Sequence, residues 1–252
     1  MVLKDAYFAY FMLALAVTAG LAYAVRLAVR GAARSERVSR IGGTALVGQE
    51  VMDWTYWAVE PIVKGCIALG ITANGATWIA LVLGLGAGLA VAFGLFGLAS
   101  LLATWSVLFD ILDGQIARFT NTGSEAGEVL DAATDRYTEF AFVGGGIFIF
   151  REIPWAMGIC MGALLACFMV SYASAKAEAM KVEVPRGLMR RHERATYMIT
   201  GAGLTAMLGP ILHDHIPGLP TTTLFLAGVA TVAVIGNIAA VQRLVRIGRA
   251  LR

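Results

Sequence analysis

Apolar runs near the ~20-residue length that carries a helix across a bilayer recur from one end of this chain to the other. Seven are readable, at 6–25, 77–96, 99–116, 140–150 (preceded by a polar helical half), 155–173, 195–212 and 224–244. In hydrocarbon the backbone must satisfy its own hydrogen bonds, which leaves helices or closed barrels. Alternating segments of ~10 residues, the mark of a membrane barrel, are absent. Glycines such as Gly84, Gly86 and Gly88, or Gly144, Gly145 and Gly146, would weaken a helix in water but let helices approach closely in lipid. Composition points the same way: 58% of the 252 residues are hydrophobic and 15% charged, against roughly 25% charged in a soluble domain. A formal net charge of +3 is too small to argue for a nucleic-acid partner. Cys66, Cys160 and Cys167 stand in apolar surroundings without metal-ligand spacing and read as buried thiols.

The first run contains, near its end, Leu21-Ala22-Tyr23-Ala24, loosely like a signal cleavage site. Its flank is not basic, since Asp5 offsets Lys4, and the run is long for a signal core, so a retained anchor is expected. Basic residues set the orientation. Arg26, Arg30, Arg34, Arg37 and Arg40 follow the first run, Arg118 ends the third, 176–194 separates the fifth from the sixth, and 243–252 closes the chain. The alternate loops hold Arg151 beside Glu152, and His213, Asp214 and His215; the two histidines lack a third ligand and read as solvated loop residues. Seven spans with the N-terminus outside place every basic cluster in the cytoplasm. Residues 51–69 mix apolar and polar positions with Trp54, Tyr56, Trp57, Glu60 and Lys64, as an interfacial helix on the cytoplasmic leaflet would; a soluble-type packing helix is the alternative.

Acidic residues are costly in membrane helices and mark function where they occur. Asp110 and Asp113 lie three apart at the cytoplasmic end of the third span, and Asp131 and Asp135 four apart at the start of the fourth. On a helix each pair shares a face. The short polar loop through Asn121, Thr122, Gly123 and Ser124 predicts that the two helices are antiparallel neighbours, bringing four carboxylates to one depth. Such a cluster repels itself unless neutralised, and Arg118 and Arg136 are too few to do so. Oxygen-ligated Mg²⁺ or Mn²⁺ is the expected answer. Helix caps and interfacial salt bridges are the alternative, a weaker one for two pairs at one membrane face. Gly114 beside Asp113, and Gly127 one turn before Asp131, suggest close approach of a nucleotide or phosphate.

The run Asp110-x-x-Asp113-Gly114-x-x-Ala117-Arg118, eight residues, Gly127-x-x-x-Asp131-x-x-x-Asp135 resembles the signature of the CDP-alcohol phosphotransferase family at every defined position. The resemblance extends over about 72–243. It implies an all-α fold: a polytopic membrane helical bundle with a six-helix catalytic core, here with an extra N-terminal transmembrane helix and an interfacial amphipathic helix. On this reading residues 1–45 form the anchor and basic juxtamembrane segment, and 46–252 the interfacial helix and core. The resemblance also implies a homodimer, a CDP-lipid such as CDP-diacylglycerol as donor, and a divalent-metal site with two ions. Asp110, Asp113 and Asp131 would ligate metal, and Asp135 would accept the alcohol proton and touch the second ion. Gly114, Ala117, Arg118 and Gly127 would form the nucleotide pocket. Asn74 and Thr77 would join them through a turn in which Ala73 replaces the family's proline.

The acceptor side is most similar to phosphatidylinositol phosphate synthases, on the stretches Ser171 to Glu178, Arg191-His192-Glu193-Arg194 and Val241-Gln242-Arg243-Leu244. Ser171, Arg191, Arg194 and Arg243 would then bind the phosphate of an inositol phosphate. Ser174 occupies that branch's lysine position, and Lys176 lies two residues on. Glycerol phosphate and free inositol are the alternative acceptors. A Mg²⁺-dependent intramembrane prenyltransferase is a rival class, although its Asn-Asp-x-x-Asp pattern is missing. An ion transporter is another, but its acidic path would lie near the bilayer midplane.

Overall fold

A computed structural model of the chain describes residues 2–31, 49–182 and 187–252, and the described residues form helices joined by short turns. These are α1 (Val2–Arg30), α2 (Gln49–Ala68), α3 (Ala73–Ala92), α4 (Phe96–Thr120), α5 (Glu125–Ile149), α6 (Pro154–Ala179), α7 (Arg191–His215) and α8 (Thr223–Ala250). Arg34, Arg37 and Arg40, the boundary at 45/46 and the side chain of Tyr56 lie outside the described residues. Six helices (α1, α3, α4, α6, α7 and α8) are long and apolar enough to cross a bilayer. α5 has the length, 25 residues, but opens on Glu125 and Glu128 and carries Asp131, Asp135 and Glu139 before its apolar half. The chain is a multi-pass integral membrane protein.

Helix neighbours close a ring: α3 packs on α4, α4 on α7, α7 on α8, α8 on α6, α6 on α5, and α5 back on α3. α1 and α2 stand outside it, α1 against α4 and α7, and α2 against α4. Phe225 of α8, fully buried, gathers Phe96, Phe142 and Phe150 at centroid distances of 5.0, 6.1 and 6.3 Å. α2 is amphipathic in place: Val59, Val63 and Cys66 pack with Leu112 and Ile116 of α4, while Glu60 and Lys64 pair at 2.7 Å on the exposed face. Cys66, Cys160 and Cys167 are buried free thiols, as expected.

Three sequence expectations need correction. α4 and α5 are consecutive, but they barely touch along their lengths, because α3 is wedged between them. A Cβ on Gly84 of α3 would collide with Thr138 of α5 and come within 3.0 Å of Ser106 Oγ of α4, and one on Gly88 would collide with the backbone of Ala141. Loop length limits how far two helix ends separate; it does not say what fills the space between their shafts. α7 begins at Arg191, not after Arg194. The Glu193 carboxylate accepts from the Arg190 N–H at 3.1 Å and caps the first turn, so four polar residues become helical ahead of the apolar run. His213 and His215 belong to the last turn of α7, exposed, with their Nδ1 atoms 2.7 Å from Leu219 O and 2.8 Å from Ile211 O.

One carboxylate of the outer helix reaches into the bundle. Asp5, buried, accepts from the N–H groups of Gly97 (2.8 Å) and Leu98 (2.9 Å), free donors in the first turn of α4. Leu95, the cap residue of α4, makes no side-chain cap bond, so α1 supplies the cap from another helix. Asp5→Ala should destabilise the protein by about 1–2 kcal/mol, the usual worth of a cap. A lowered Tm in detergent micelles would show it, and an unchanged Tm would mean that α1 is held otherwise.

Candidate active site

α4 ends where Asn121 takes a left-handed conformation (φ 52°) and the Thr122 N–H reaches Ala117 O at 2.9 Å. α5 starts one residue after Ser124, whose Oγ accepts from Gly127 N at 3.1 Å. This reversal sets the last turns of α4 against the first turns of α5. There, carboxylate oxygens of Asp110, Asp113 and Asp131 lie within 4.8 Å of one another. At that spacing each pair of anions repels by roughly 3 kcal/mol at an effective dielectric near 20. Asp131 Oδ1 is buried with no hydrogen-bond partner. A hard, oxygen-only donor set with an orphaned lone pair fits a divalent cation such as Mg²⁺ or Mn²⁺.

The fourth aspartate joins the group through an arginine. Arg191 Nη1 lies 2.5 Å from Asp110 Oδ2, and its Nη2 lies 2.5 Å from Asp135 Oδ1. Arg191 thus reaches from α7 to both halves of the motif. Asp113 is held from behind by Thr77, whose hydroxyl donates to Oδ2 at 2.7 Å and also to Ala73 O at 3.1 Å. Thr77, expected beside the nucleotide, has its hydroxyl committed to orienting a carboxylate. Thr77→Val should therefore weaken Mn²⁺ binding by about 10–100-fold, the usual effect of losing an outer-shell partner. Titration of the variant followed by manganese EPR checks this, and wild-type affinity would refute it.

The remaining expected residues fall into two groups. On one side, a Cβ on Gly114 would lie 3.3 Å from Arg118 Nη1, and one on Gly127 would lie 3.6 Å from Asn74 Oδ1. Arg118 and Asn74 are exposed there, and Ala117 is half-buried beside Arg118. On the other side, a cavity of about 600 Å³ is walled by Asp131, Asp135, Ser171, Arg191, Arg194 and Arg243, among others. Arg243, 8% exposed, donates to Ser174 Oγ at 2.9 Å and to Leu188 O at 2.8 Å. Arg194 is only 1% exposed, its guanidinium turned to Glu139 and to Met189 O at 2.8 Å. Sequence reasoning passed over Arg136, Glu139 and Arg190 as site residues. Glu139 carried a usable signal, an acid one turn beyond Asp135 and next to an apolar run.

The sequence pattern of CDP-alcohol phosphatidyltransferases matches residues 70–241. The chain belongs to that family. It is accordingly a membrane transferase of phospholipid synthesis. Among curated relatives, the phosphatidylinositol phosphate synthase of Mycobacterium bovis (strain BCG / Pasteur 1173P2) is 33% identical over 193 residues, covering 73% of this chain and 82% of that protein. The Corynebacterium glutamicum enzyme of the same name is 32% identical over 161 residues, covering 62% and 74%. The crystal structure of Mycobacterium tuberculosis phosphatidylinositol phosphate synthase in complex with manganese and citrate superposes with a TM-score of 0.65 at 27% identity, covering 75% of this chain and 88% of that one. The same protein with CDP-DAG bound gives 0.63, covering 75% and 92%. The carboxylate cluster and a manganese-bound relative in the same family support divalent metal as the cofactor.

Proposed function

We propose that this phosphatidyltransferase moves the phosphatidyl group of CDP-diacylglycerol to a hydroxyl of an inositol phosphate and releases CMP. The observation that carries the acceptor is the cavity of about 600 Å³ in which Asp131 and Asp135 share a wall with five arginines. Arginine forks match phosphate oxygens, and five of them beside two carboxylates favour an anionic acceptor over a neutral one. Relatives named phosphatidylinositol phosphate synthase agree with this choice.

In the proposed reaction the acceptor oxygen attacks the β-phosphorus, the bond from that phosphorus to the bridging oxygen breaks, and CMP carries the bridging oxygen away. Asp135, reaching both the arginine-lined cavity and the aspartate cluster, accepts the proton of the attacking hydroxyl. Asp110, Asp113 and Asp131 would hold the metal, and Asp135 would touch a second ion. When bound, Mg²⁺ or Mn²⁺ would neutralise charge on the pyrophosphate during the displacement. Gly114, Ala117, Arg118, Gly127, Asn74 and Thr77 flank the CMP portion. Ser171, Arg191, Arg194 and Arg243 serve the acceptor phosphate. The positive-inside distribution of the basic segments supports a cytoplasmic position for this end of the bundle. Residues 46–252 make the catalytic unit, 1–45 its anchor, and the working form is a homodimer.

The decisive experiment supplies membranes containing the chain with labelled CDP-diacylglycerol and, in turn, inositol phosphate, glycerol phosphate, inositol and serine. Labelled product with inositol phosphate alone is expected. Product with free inositol and none with its phosphate would overturn the acceptor assignment.

A further inference from the structure

Beside the cavity lies an acidic side chain that the proposed reaction does not use. Glu139 stands one helical turn beyond Asp135 on α5, about 6 Å further along the helix. It is 7% exposed. A carboxylate so placed is costly unless paired, and Glu139 is paired twice. Its Oε1 accepts from Arg194 Nε at 3.0 Å and Nη2 at 2.5 Å. Its Oε2 lies 2.9 Å from Arg136 Nη1, off the line of an N–H bond, so that contact is one of charge with charge.

These two arginines line the cavity, and each is fixed on its remaining sides. Arg136 Nη1 also donates to Cys167 O at 3.3 Å and to Ser171 Oγ, both on α6, while its Nη2 stands 3.7 Å from Asp135 Oδ2. Arg194 Nη1 donates to Met189 O at 2.8 Å, and its Nη2 comes within 3.5 Å of Ser171 Oγ. Two guanidinium groups meeting at one serine would push each other apart without a negative charge behind them. The acid supplies that charge from the interior and leaves the exposed quarter of the Arg136 side chain to an incoming anion.

We propose that Glu139 is a positioning residue that holds Arg136 and Arg194 together around Ser171 as a preformed clamp for the phosphate of the acceptor. This rests on the acceptor reading above. It gives Arg194 a supporting place in the clamp, and it adds Arg136 to the residues that meet the phosphate. The geometry matches what phosphate recognition needs: fixed N–H forks whose rotamers are locked before the ligand arrives. A neutral alcohol would gain nothing from it.

The test uses the full chain in detergent micelles, with initial rates measured against inositol phosphate and CDP-diacylglycerol separately. Glu139→Gln should raise the acceptor KM by about tenfold or more, the effect of losing charge-assisted bonds to the clamp. The KM for CDP-diacylglycerol and the manganese affinity should stay at wild-type values. Glu139→Asp, which keeps the charge but draws it back from the two guanidinium groups by one carbon, should fold and raise the acceptor KM measurably but by less than the glutamine variant does, and it carries the test if the glutamine variant does not fold. Inorganic phosphate, as a competitor against the acceptor, should weaken in parallel with KM. A folded variant of either kind with wild-type acceptor KM, or one whose two KM values rise together, overturns the proposal. A wild-type chain that uses free inositol but not its phosphate overturns the acceptor reading and this inference with it. A wild-type chain that requires the phosphate, with variants whose acceptor KM does not move, overturns the clamp alone.

Discussion

Asp135→Asn should lower phosphatidyl transfer by about 10²–10⁴-fold, the range that a positioned general base contributes, while CDP-diacylglycerol still binds. The substitution keeps the size of the side chain and removes the basic oxygen. It also removes one of the two carboxylates that Arg191 touches at 2.5 Å, leaving that guanidinium on Asp110. Binding should survive because Asp110, Asp113 and Asp131, the oxygens that lie within 4.8 Å of one another, are untouched. Product formation over time, beside retention of labelled donor on the purified variant, measures the two effects separately. Transfer at the wild-type rate would remove Asp135 from proton transfer, and loss of donor binding would move it into the metal and nucleotide machinery.

Asp131→Asn should have the largest effect on metal. A carboxylate that touches the metal is worth more than the about 10–100-fold contributed by a group that only orients such a carboxylate, so Mn²⁺ binding should fall below detection in an EPR titration, and transfer with it. Stability should move the other way. In the metal-free protein this aspartate faces two like-charged neighbours, and its Oδ1 is buried without a partner. The variant in EDTA should therefore melt at a higher temperature than the wild type in EDTA, and added Mn²⁺ should no longer raise its Tm. A variant that melts lower in EDTA and still gains stability from Mn²⁺ would show that the cluster is a structural network, not a metal site.

Much of this was legible before any coordinates. The apolar runs became helices because lipid leaves the backbone few other ways to satisfy its polar groups. Asp110, Asp113, Asp131 and Asp135 stood out because charges in spanning helices are rare without a task. What escaped was mostly contact between distant segments. No local pattern says that Arg191, fifty-six residues beyond Asp135, bridges it to Asp110. Nor does any local pattern say that the Thr77 hydroxyl, thirty-six residues before Asp113, donates to that carboxylate. The start of α7 was misjudged because an apolar run marks where a helix enters lipid, not where its hydrogen bonds begin. The Glu193 cap on Arg190 N–H set the true start earlier. Residues 77–96, 99–116 and 140–150 did announce α3, α4 and α5, but not that α3 lies between the other two.

That separating helix has a consequence for how the enzyme can be tuned. α3 contributes no acidic residue to the cluster, yet its girth acts as the gauge between the two acid-bearing helices, and at Gly84 it is reduced to bare backbone. A single methyl added there would work like a shim, prising α4 and α5 apart and enlarging the cage at their ends. The spacing of the acid-bearing helices thus rests on a residue that offers the cluster no side-chain oxygen of its own.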